Sequence, residues 1–274
     1  MGWQTNEWRP TAVTRFIEYR DTSATPVFVD TDAGEGVLKG LGNPSGPHAL
    51  AAELVGSLLA DWLGLPTFDF STITVDPADQ LSISSNAMLQ PGPAFISRRT
   101  RGFAWGGDAK TLDSLANKED ITRLIVLDTW IQNCDRFRPL PPPPRCNIDN
   151  VYFARSAGSK RPTVLAMDHS AAFTCGADLN PKLRSINAIR DTQRYGQFPE
   201  FESHWNELIL APTLAALAAM TSTLAAEITD RIPEEWEVPA DTRSALAEFI
   251  HRRAQFLSRQ EITNWPVGGP AVSD

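Results

Sequence analysis

Acidic and amide side chains stand at three points in the middle of this 274-residue chain. Asp135 lies in the polar run 133–136 after an apolar helix pattern, Asn150 directly precedes a short strand pattern, and Asp168 ends the next apolar run. A loop carboxylate can orient a substrate hydroxyl, while an amide and a second carboxylate offer Mg²⁺ the hard oxygen ligands it prefers. The spacing predicts a phosphoryl-transfer site, with Asp135 catalytic and Asn150 and Asp168 binding metal.

The same residue types also suit ordinary loops, where Asp and Asn side chains cap backbone groups. Asn147 is a second candidate ligand, and Asn150 is preferred because it directly precedes the strand pattern 151–153. His169 is expected to form structural hydrogen bonds beside the site rather than act as a general base. Asp128 either binds within the catalytic loop or is a plain helix carboxylate.

Composition limits the class of protein. A formal charge of −8 and a pI near 5.1 argue against general nucleic-acid binding, which needs clustered Lys and Arg. Residues 1–10 are polar, which predicts no secretory signal, and the apolar run Leu208–Met220 is too short for a membrane span. Cys134, Cys146 and Cys175 suggest neither a disulfide framework nor a zinc site. We expect a cytoplasmic protein that does not bind membranes.

The first third of the chain contains a strand lysine followed by a helix glutamate, the order expected for a nucleotide-phosphate site. Strand patterns occupy residues 11–19, 27–29 and 37–39, and the last ends at Lys39. An amphipathic helix pattern, 48–63, follows with Glu53 beside its apolar stripe. A carboxylate there needs a cation, and a lysine held by a helix glutamate presents its ammonium to nucleotide phosphates. Either residue alone also suits a solvated surface.

The middle of the chain offers a candidate hinge and a basic cluster. Phe95 and Ile96 lie in the segment predicted to cross between two lobes, where an adenine ring needs backbone hydrogen bonds and apolar faces. Arg98, Arg99 and Arg101 either contact phosphate or an acidic substrate, or form a solvated loop. Helix patterns follow at 119–132, 181–194, 201–211, 212–230 and 240–258.

Several of these motifs together resemble one bacterial family, the HipA-like kinases. The matching runs are Val37–Gly40, Gly42–Gly46, Leu50–Val55, Leu63–Pro66, Asn133–Arg136 and Met167–Ser170. They are similar, in order, to the family's strand lysine, GNPxG turn, helix glutamate, GLP helix exit, N-x-D-R catalytic loop and metal-binding I-D-H motif. The resemblance covers roughly residues 11–175, and the ordered combination is more specific than any single motif.

The resemblance implies a two-lobed protein-kinase-like fold of the α+β class. Residues 1–97 would form a small antiparallel β lobe with one helix, and 98–274 a mainly helical lobe with the catalytic and metal-binding loops. It also implies ATP and Mg²⁺ as cofactors and phosphoryl transfer to a hydroxyl, by family analogy on protein Ser or Thr.

The resemblance further assigns roles to residues of the small lobe. Lys39 would hold nucleotide phosphates, and Glu53 would orient it. Ser23 and Thr25 lie in the turn that matches the family's phosphate-facing loop, which lacks glycine here and therefore approaches phosphates less freely.

The catalytic loop departs from the family pattern. Fourteen residues separate Asp135 from Asn150, and the insert contains the polyproline run 141–144. The insert either loops outward and returns Asn150 to its usual place, or forms a lid or a docking segment for a protein partner, or leaves a nucleotide-binding pseudokinase. A small-molecule or lipid-headgroup acceptor, and transfer of AMP instead of phosphate, are further alternatives.

Overall fold

The structure, a computed structural model, describes residues 8–20, 25–79, 81–85, 87–156 and 158–259. Its amino-terminal part is an antiparallel five-stranded sheet with strand order β1-β2-β3-β5-β4. The strands are β1 Val13–Tyr19, β2 Val27–Thr31, β3 Gly34–Lys39, β4 Phe70–Val75 and β5 Gly92–Arg98. The three predicted strand patterns at the start of the chain thus form β1 to β3.

Local sequence explains the register of these strands. Alternate residues of β2 are buried, namely Val27, Val29 and Thr31, as expected for a strand with one face on a core. The turn into β3 reaches φ +106° at Gly34, a conformation that glycine adopts without strain. Lys39 therefore stands at the end of β3, opposite Phe95 of β5.

Helix α1, Pro47–Trp62, follows β3 and lies between the sheet and the rest of the molecule. Its prolyl first residue suits a helix start, and Leu63–Gly64 ends it with Gly64 at φ +80°. Nearly every residue of α1 after its first turn is buried, because the helix contacts β5 on one side and carboxy-terminal helices on the other.

The carboxy-terminal part is mainly helical. Its helices are α2 Ala109–Asp113, α3 Asp120–Ile131, α4 Ile186–Ile189, α5 Glu207–Ala218, α6 Ser222–Thr229 and α7 Ala240–Leu257. Short 3₁₀ helices lie at Ile148–Asn150, Pro181–Arg184, Pro199–His204 and Glu234–Trp236. A small sheet has strand order β10-β9-β6, with β6 Gly102–Ala104, β9 Tyr152–Ala154 and β10 Thr163–Leu165, and a hairpin joins β7 Phe137–Arg138 to β8 Arg145–Cys146.

Two hydrophobic cores correspond to these two parts. The smaller one packs under the five-stranded sheet and contains Val27, Leu38 and Ile96. The larger one joins α1 to the carboxy-terminal helices through residues such as Leu59 and Trp130. The lobe boundary predicted between residues 97 and 98 stays a prediction; β5 ends at Arg98.

Some predicted elements differ from the structure. The helix patterns at 201–211 and 212–230 form α5 and α6 instead: Pro212 lies inside α5, where it removes one helical hydrogen bond without ending the helix. The pattern at 181–194 yields only a 3₁₀ turn and the short α4. The described helices include no single one long and apolar enough to cross a membrane, although α5 and α6, bent by 84°, pass that test as a pair.

The cysteines also differ from expectation. Cys134 and Cys175 pair as a disulfide, with Cα atoms 5.4 Å apart, while Cys146 is free and exposed. Their separation of 41 residues gave no sign of this. The loops that carry them converge because the N–H of Phe173 donates to the carbonyl of Ile131 at 2.6 Å.

Candidate active site

A buried ion-pair cluster joins three distant elements. Lys39 Nζ at the end of β3 donates to Glu53 Oε2 of α1 at 2.8 Å and to Asp168 Oδ1, beyond β10, at 3.2 Å. The side chain of Lys39 is 15% exposed, that of Glu53 5% and that of Asp168 22%. Asp168 is thus the member of the cluster most open to solvent.

The electrostatics of this cluster favour a charged lysine and a charged Asp168. Burial opposes ionisation of Asp168, but Lys39 and a hydrogen bond from Ser170 outweigh it and lower the Asp168 pKa to about 2. Burial raises the pKa of Glu53 more than Lys39 lowers it. Burial also opposes the charge on Lys39, yet Asp168 and Glu53 raise its pKa above the ordinary value.

One face of α1 holds the loop that carries Asp168. Glu53 Oε1 accepts a hydrogen bond from the N–H of His169 at 3.4 Å, and Ser57 Oγ lies 3.5 Å from His169 Nδ1. Between them, Gly56 leaves no room for a side chain, since a Cβ there would lie 2.4 Å from the His169 Cβ. Burial, with the charge of Arg136, lowers the His169 pKa to about 3, which favours the neutral imidazole. Its Nε2 is buried without a hydrogen-bond partner among the described residues, so the structural role stays a prediction.

The buried side chain of Arg136 forms hydrogen bonds that hold the candidate catalytic loop in place. This fully buried side chain donates through Nε to Asp128 Oδ2 at 2.7 Å. One terminal nitrogen donates to the carbonyl of Asn150, and the other to the carbonyl of Met167 at 2.6 Å. A single guanidinium therefore holds the backbones that carry both candidate metal ligands. Asp128 does bind within the catalytic loop.

Both carboxylate oxygens of Asp135 are engaged. Oδ2 accepts from Asn150 Nδ2 at 2.8 Å and lies 3.5 Å from Asn147 Nδ2. Oδ1 forms an ion pair with Arg145 of β8. Asn150 thus lies beside Asp135 despite the insert, because the hairpin β7–β8 closes the insert at its base.

Two oxygens of this site suit a divalent cation. Asn150 Oδ1 and Asp168 Oδ2 have no hydrogen-bond partner among the described residues. Neither oxygen atom is fully buried. The described residues contain no group of three or more His, Cys, Asp and Glu side chains placed to hold a metal. An amide and a carboxylate oxygen fit Mg²⁺, which keeps several waters and shares phosphate oxygens.

The other predicted binding residues have different outcomes. Thr25 is buried with φ +38°, and its hydroxyl has no partner among the described residues. Ser23 lies outside the described residues. Phe95 and Ile96 do not form a hinge: they lie inside β5, which pairs with β3 and β4, so their backbone groups belong to the ladder. The apolar Phe95 ring, stacked on Phe70 at 5.8 Å, stays only a predicted binding surface.

The basic cluster is partly accounted for by surface ion pairs. Arg98 lies 3.3 Å from Asp69, and Arg99 lies 2.8 Å from Glu35. These contacts favour the interpretation as a solvated loop.

Sequence reasoning missed three residues of the site. Gly56 gave a usable signal, since a glycine inside a strongly helical pattern usually has a packing reason. Arg136 belonged to a recognised motif but received no role, because its partners lie far apart in the chain. Arg145, at the end of the polyproline insert, gave no signal that it contacts Asp135.

Comparison with known proteins identifies the family. A model of the HipA-like kinases matches residues 23–265, most of the chain. The chain belongs to the HipA-like kinase family. This HipA-like kinase is therefore a phosphotransferase, and the resemblance read from the sequence motifs is confirmed. No curated protein matches the chain significantly.

Solved structures give the same fold for this HipA-like kinase. The chain is similar to the Helicobacter pylori proinflammatory kinase CtkA with a TM-score of 0.54 and 14% sequence identity. The match covers 89% of this chain and 94% of CtkA. The predicted two-lobed, kinase-like α+β fold is confirmed, and at this identity the likeness concerns the fold alone.

Proposed function

We propose that this HipA-like kinase transfers the γ-phosphoryl group of ATP to a serine or threonine hydroxyl of a protein, with Mg²⁺ bound at the same site. Asp135 orients the acceptor hydroxyl and takes up its proton. Lys39, held by Glu53, contacts the nucleotide phosphates. Asn150 and Asp168 hold the metal, which neutralises charge on the transferring phosphate.

The observation that carries this proposal is the contact of Lys39 with both Glu53 and Asp168. An ammonium between a helix glutamate and a loop aspartate lies where nucleotide phosphates and their metal must meet. A plain structural ion pair needs only one carboxylate. The second one, which is partly exposed, supports a role in binding the metal.

The nucleotide also needs contacts beyond its phosphates. Thr25, whose buried hydroxyl has no partner in the described part of the chain, is proposed to bind the phosphates, and so is Ser23. The Phe95 ring is proposed as an apolar wall for the adenine, and Ile96 supports it from within β5.

The test follows transfer of the γ-phosphate from labelled ATP to the protein itself and to a serine and threonine peptide pool. Wild type is compared with Asp135→Ala and Asp168→Ala, and Arg252→Ala, an exposed residue of α7, is the control. We expect both site variants to lose at least a hundredfold in rate, in line with loss of a group that acts in the transition state. Equal rates in wild type and the site variants would refute the proposal.

A second candidate is a nucleotide-binding interaction module whose proline-rich insert binds a protein partner. The ion pair of Arg145 with Asp135 favours it, since that carboxylate is not free. This candidate predicts that Asp135→Ala leaves the nucleotide affinity unchanged. It also predicts that even the wild type transfers no phosphate. Mass spectrometry of the products distinguishes transfer of a phosphoryl group from transfer of AMP. If the acceptor is a small molecule, phosphate will be transferred to that molecule and to none of the peptides.

We also propose a cytoplasmic location, without membrane or general nucleic-acid binding. The formal charge of −8 supports the latter, since phosphate backbones attract basic proteins.

A further inference from the structure

A short hairpin closes the base of the insert in the candidate catalytic loop, and each of its two strands carries one arginine. Phe137 pairs with Cys146 and Arg138 with Arg145 across β7 and β8. Like charges directly opposite each other destabilise a strand pair, so this register is not explained by hairpin stability. Residues 141–146 are exposed, so the hairpin lies at the surface beside Asp135.

Both guanidinium groups retain hydrogen-bond donors that have no carboxylate partner among the described residues. Among the described residues, Arg138 forms no ion pair with a carboxylate: its Nε is buried without a partner, and its Nη1 donates to the Cys175 sulfur at 3.9 Å. Arg145 has Asp135 as its partner in the described part of the chain, and its side chain is 53% exposed. Cross-strand pairing thus places two arginines side by side, one of them on the candidate catalytic carboxylate, and both have binding capacity left over.

The contact of Arg145 also engages a particular atom of Asp135. Asn150 and Asn147 already occupy Asp135 Oδ2, so Oδ1 is the oxygen that an acceptor hydroxyl would approach. Arg145 holds this Oδ1. The arginine takes one lone pair of this oxygen, and its positive charge weakens the oxygen as a proton acceptor, so the hydroxyl reacts best when the arginine moves to another anion.

We infer that Arg138 and Arg145 form an anion subsite that selects protein serines or threonines with an acidic residue next to them. The inference rests on the proposed function. The acidic side chain draws Arg145 away from Asp135 and binds between the two guanidinium groups, which are well suited to carboxylates. The open, exposed hairpin suits an extended peptide chain rather than an enclosed small molecule.

Transfer then proceeds with Asp135 freed. The acceptor oxygen bonds to the γ-phosphorus while the bond from that phosphorus to the β,γ-bridging oxygen breaks and ADP leaves. The hydroxyl proton passes to Asp135 Oδ1. A substrate without the acidic group leaves Arg145 on Asp135 and reacts slowly, so substrate choice and activation depend on the same contact.

The experiment compares three serine peptides that differ only beside the serine, with Glu, Gln or Lys at those positions. For wild type, we expect kcat/KM for the Glu peptide to exceed that for the Gln peptide at least tenfold, the effect of roughly one charge-assisted hydrogen bond. In Arg145→Ala this preference falls to within about twofold, and kcat on the Gln peptide rises, because no arginine competes for Asp135 Oδ1.

Further variants separate recognition from folding. Arg145→Lys, which keeps the charge, retains most of the preference, and Arg138→Ala raises KM for the Glu peptide. Arg252→Ala changes neither value. A preference for Gln or Lys in wild type, an unchanged Glu preference in Arg138→Ala/Arg145→Ala, or autophosphorylation without transfer to any peptide would each overturn the inference.

Binding of the labelled Glu and Gln peptides, measured by fluorescence anisotropy, separates this inference from the proposed function. If no phosphate is transferred at all, the proposed function fails. Tighter binding of the Glu peptide that depends on both arginines still supports the subsite, and equal binding overturns it.

Discussion

Replacement of Gly56 by alanine adds one methyl group at the closest contact between α1 and the loop that carries Asp168. The new Cβ would lie 2.4 Å from the Cβ and 2.7 Å from the Cγ of His169. Ordinary carbon contacts need about 3.5–4.0 Å, so the loop must move away by roughly 1 Å. His169 is buried and follows Asp168 directly, so that movement also shifts Asp168 relative to Lys39.

Two effects of opposite sign decide the stability of Gly56→Ala. Alanine in a helix interior is favoured over glycine by about 1 kcal/mol, whereas overpacking of a core costs about 1–3 kcal/mol. We expect a net loss of up to about 2 kcal/mol, or a Tm lower by a few degrees. The effect on activity should be larger, since a shift of about 1 Å at a reacting group costs on the order of a hundredfold.

The assay pairs thermal unfolding with kcat/KM for phosphate transfer. Ser57→Ala is the matched control: it lies on the same helix face, adds no atom and removes only a 3.5 Å contact to His169. His169→Gly in the Gly56→Ala background removes the colliding Cβ and should restore part of the activity. A Gly56→Ala protein with wild-type Tm and kcat/KM would refute the packing argument.

Three further predictions concern the charges around the site. Lys39→Met should weaken binding of a non-hydrolysable ATP analogue at least tenfold in calorimetry and lower the Tm, because buried carboxylates lose their cation. A double-mutant cycle with Asp128→Asn and Arg136→Gln, measured by urea unfolding, should give a coupling of about 3 kcal/mol, and additivity within about 0.5 kcal/mol would contradict a tight buried pair. Chelation of Mg²⁺ should abolish transfer reversibly, and Asn150→Ala should raise the Mg²⁺ concentration for half-maximal rate, while an unchanged requirement would remove this residue from the metal site.

Elements with strong local patterns were predictable from the sequence. The sequence predicted β2 from Val27 and the glycine turn before β3, although β3 begins at Gly34, three residues before its predicted start. Helix α1 was bounded within one residue by its apolar stripe and Gly64. The pairing of Lys39 with Glu53 followed from the cost of burying an unpaired carboxylate. These predictions needed no knowledge of distant residues.

Features that depend on tertiary neighbours were not predictable. The segment around Phe95 carries a hinge-like pattern, but whether it becomes a crossing or a central strand depends on β3 and β4 on either side. The partners of Arg136 lie 8 to 31 residues away and include two backbone carbonyls, which carry no residue-type signal. The pairing of Cys134 with Cys175 likewise depends on a loop contact that sequence spacing does not reveal.

The insert shows why separation along the chain is a poor measure of separation in a site. The strand pair β7–β8 brings the two ends of the insert together, and the N–H of Asn147 donates to the carbonyl of Arg136 at 3.0 Å. Asn150 therefore returns to Asp135 across 15 positions as it would after a short loop. The same closure brings Arg145 onto Asp135, so the extra residues that return Asn150 to Asp135 also add a positive charge beside the proposed catalytic carboxylate.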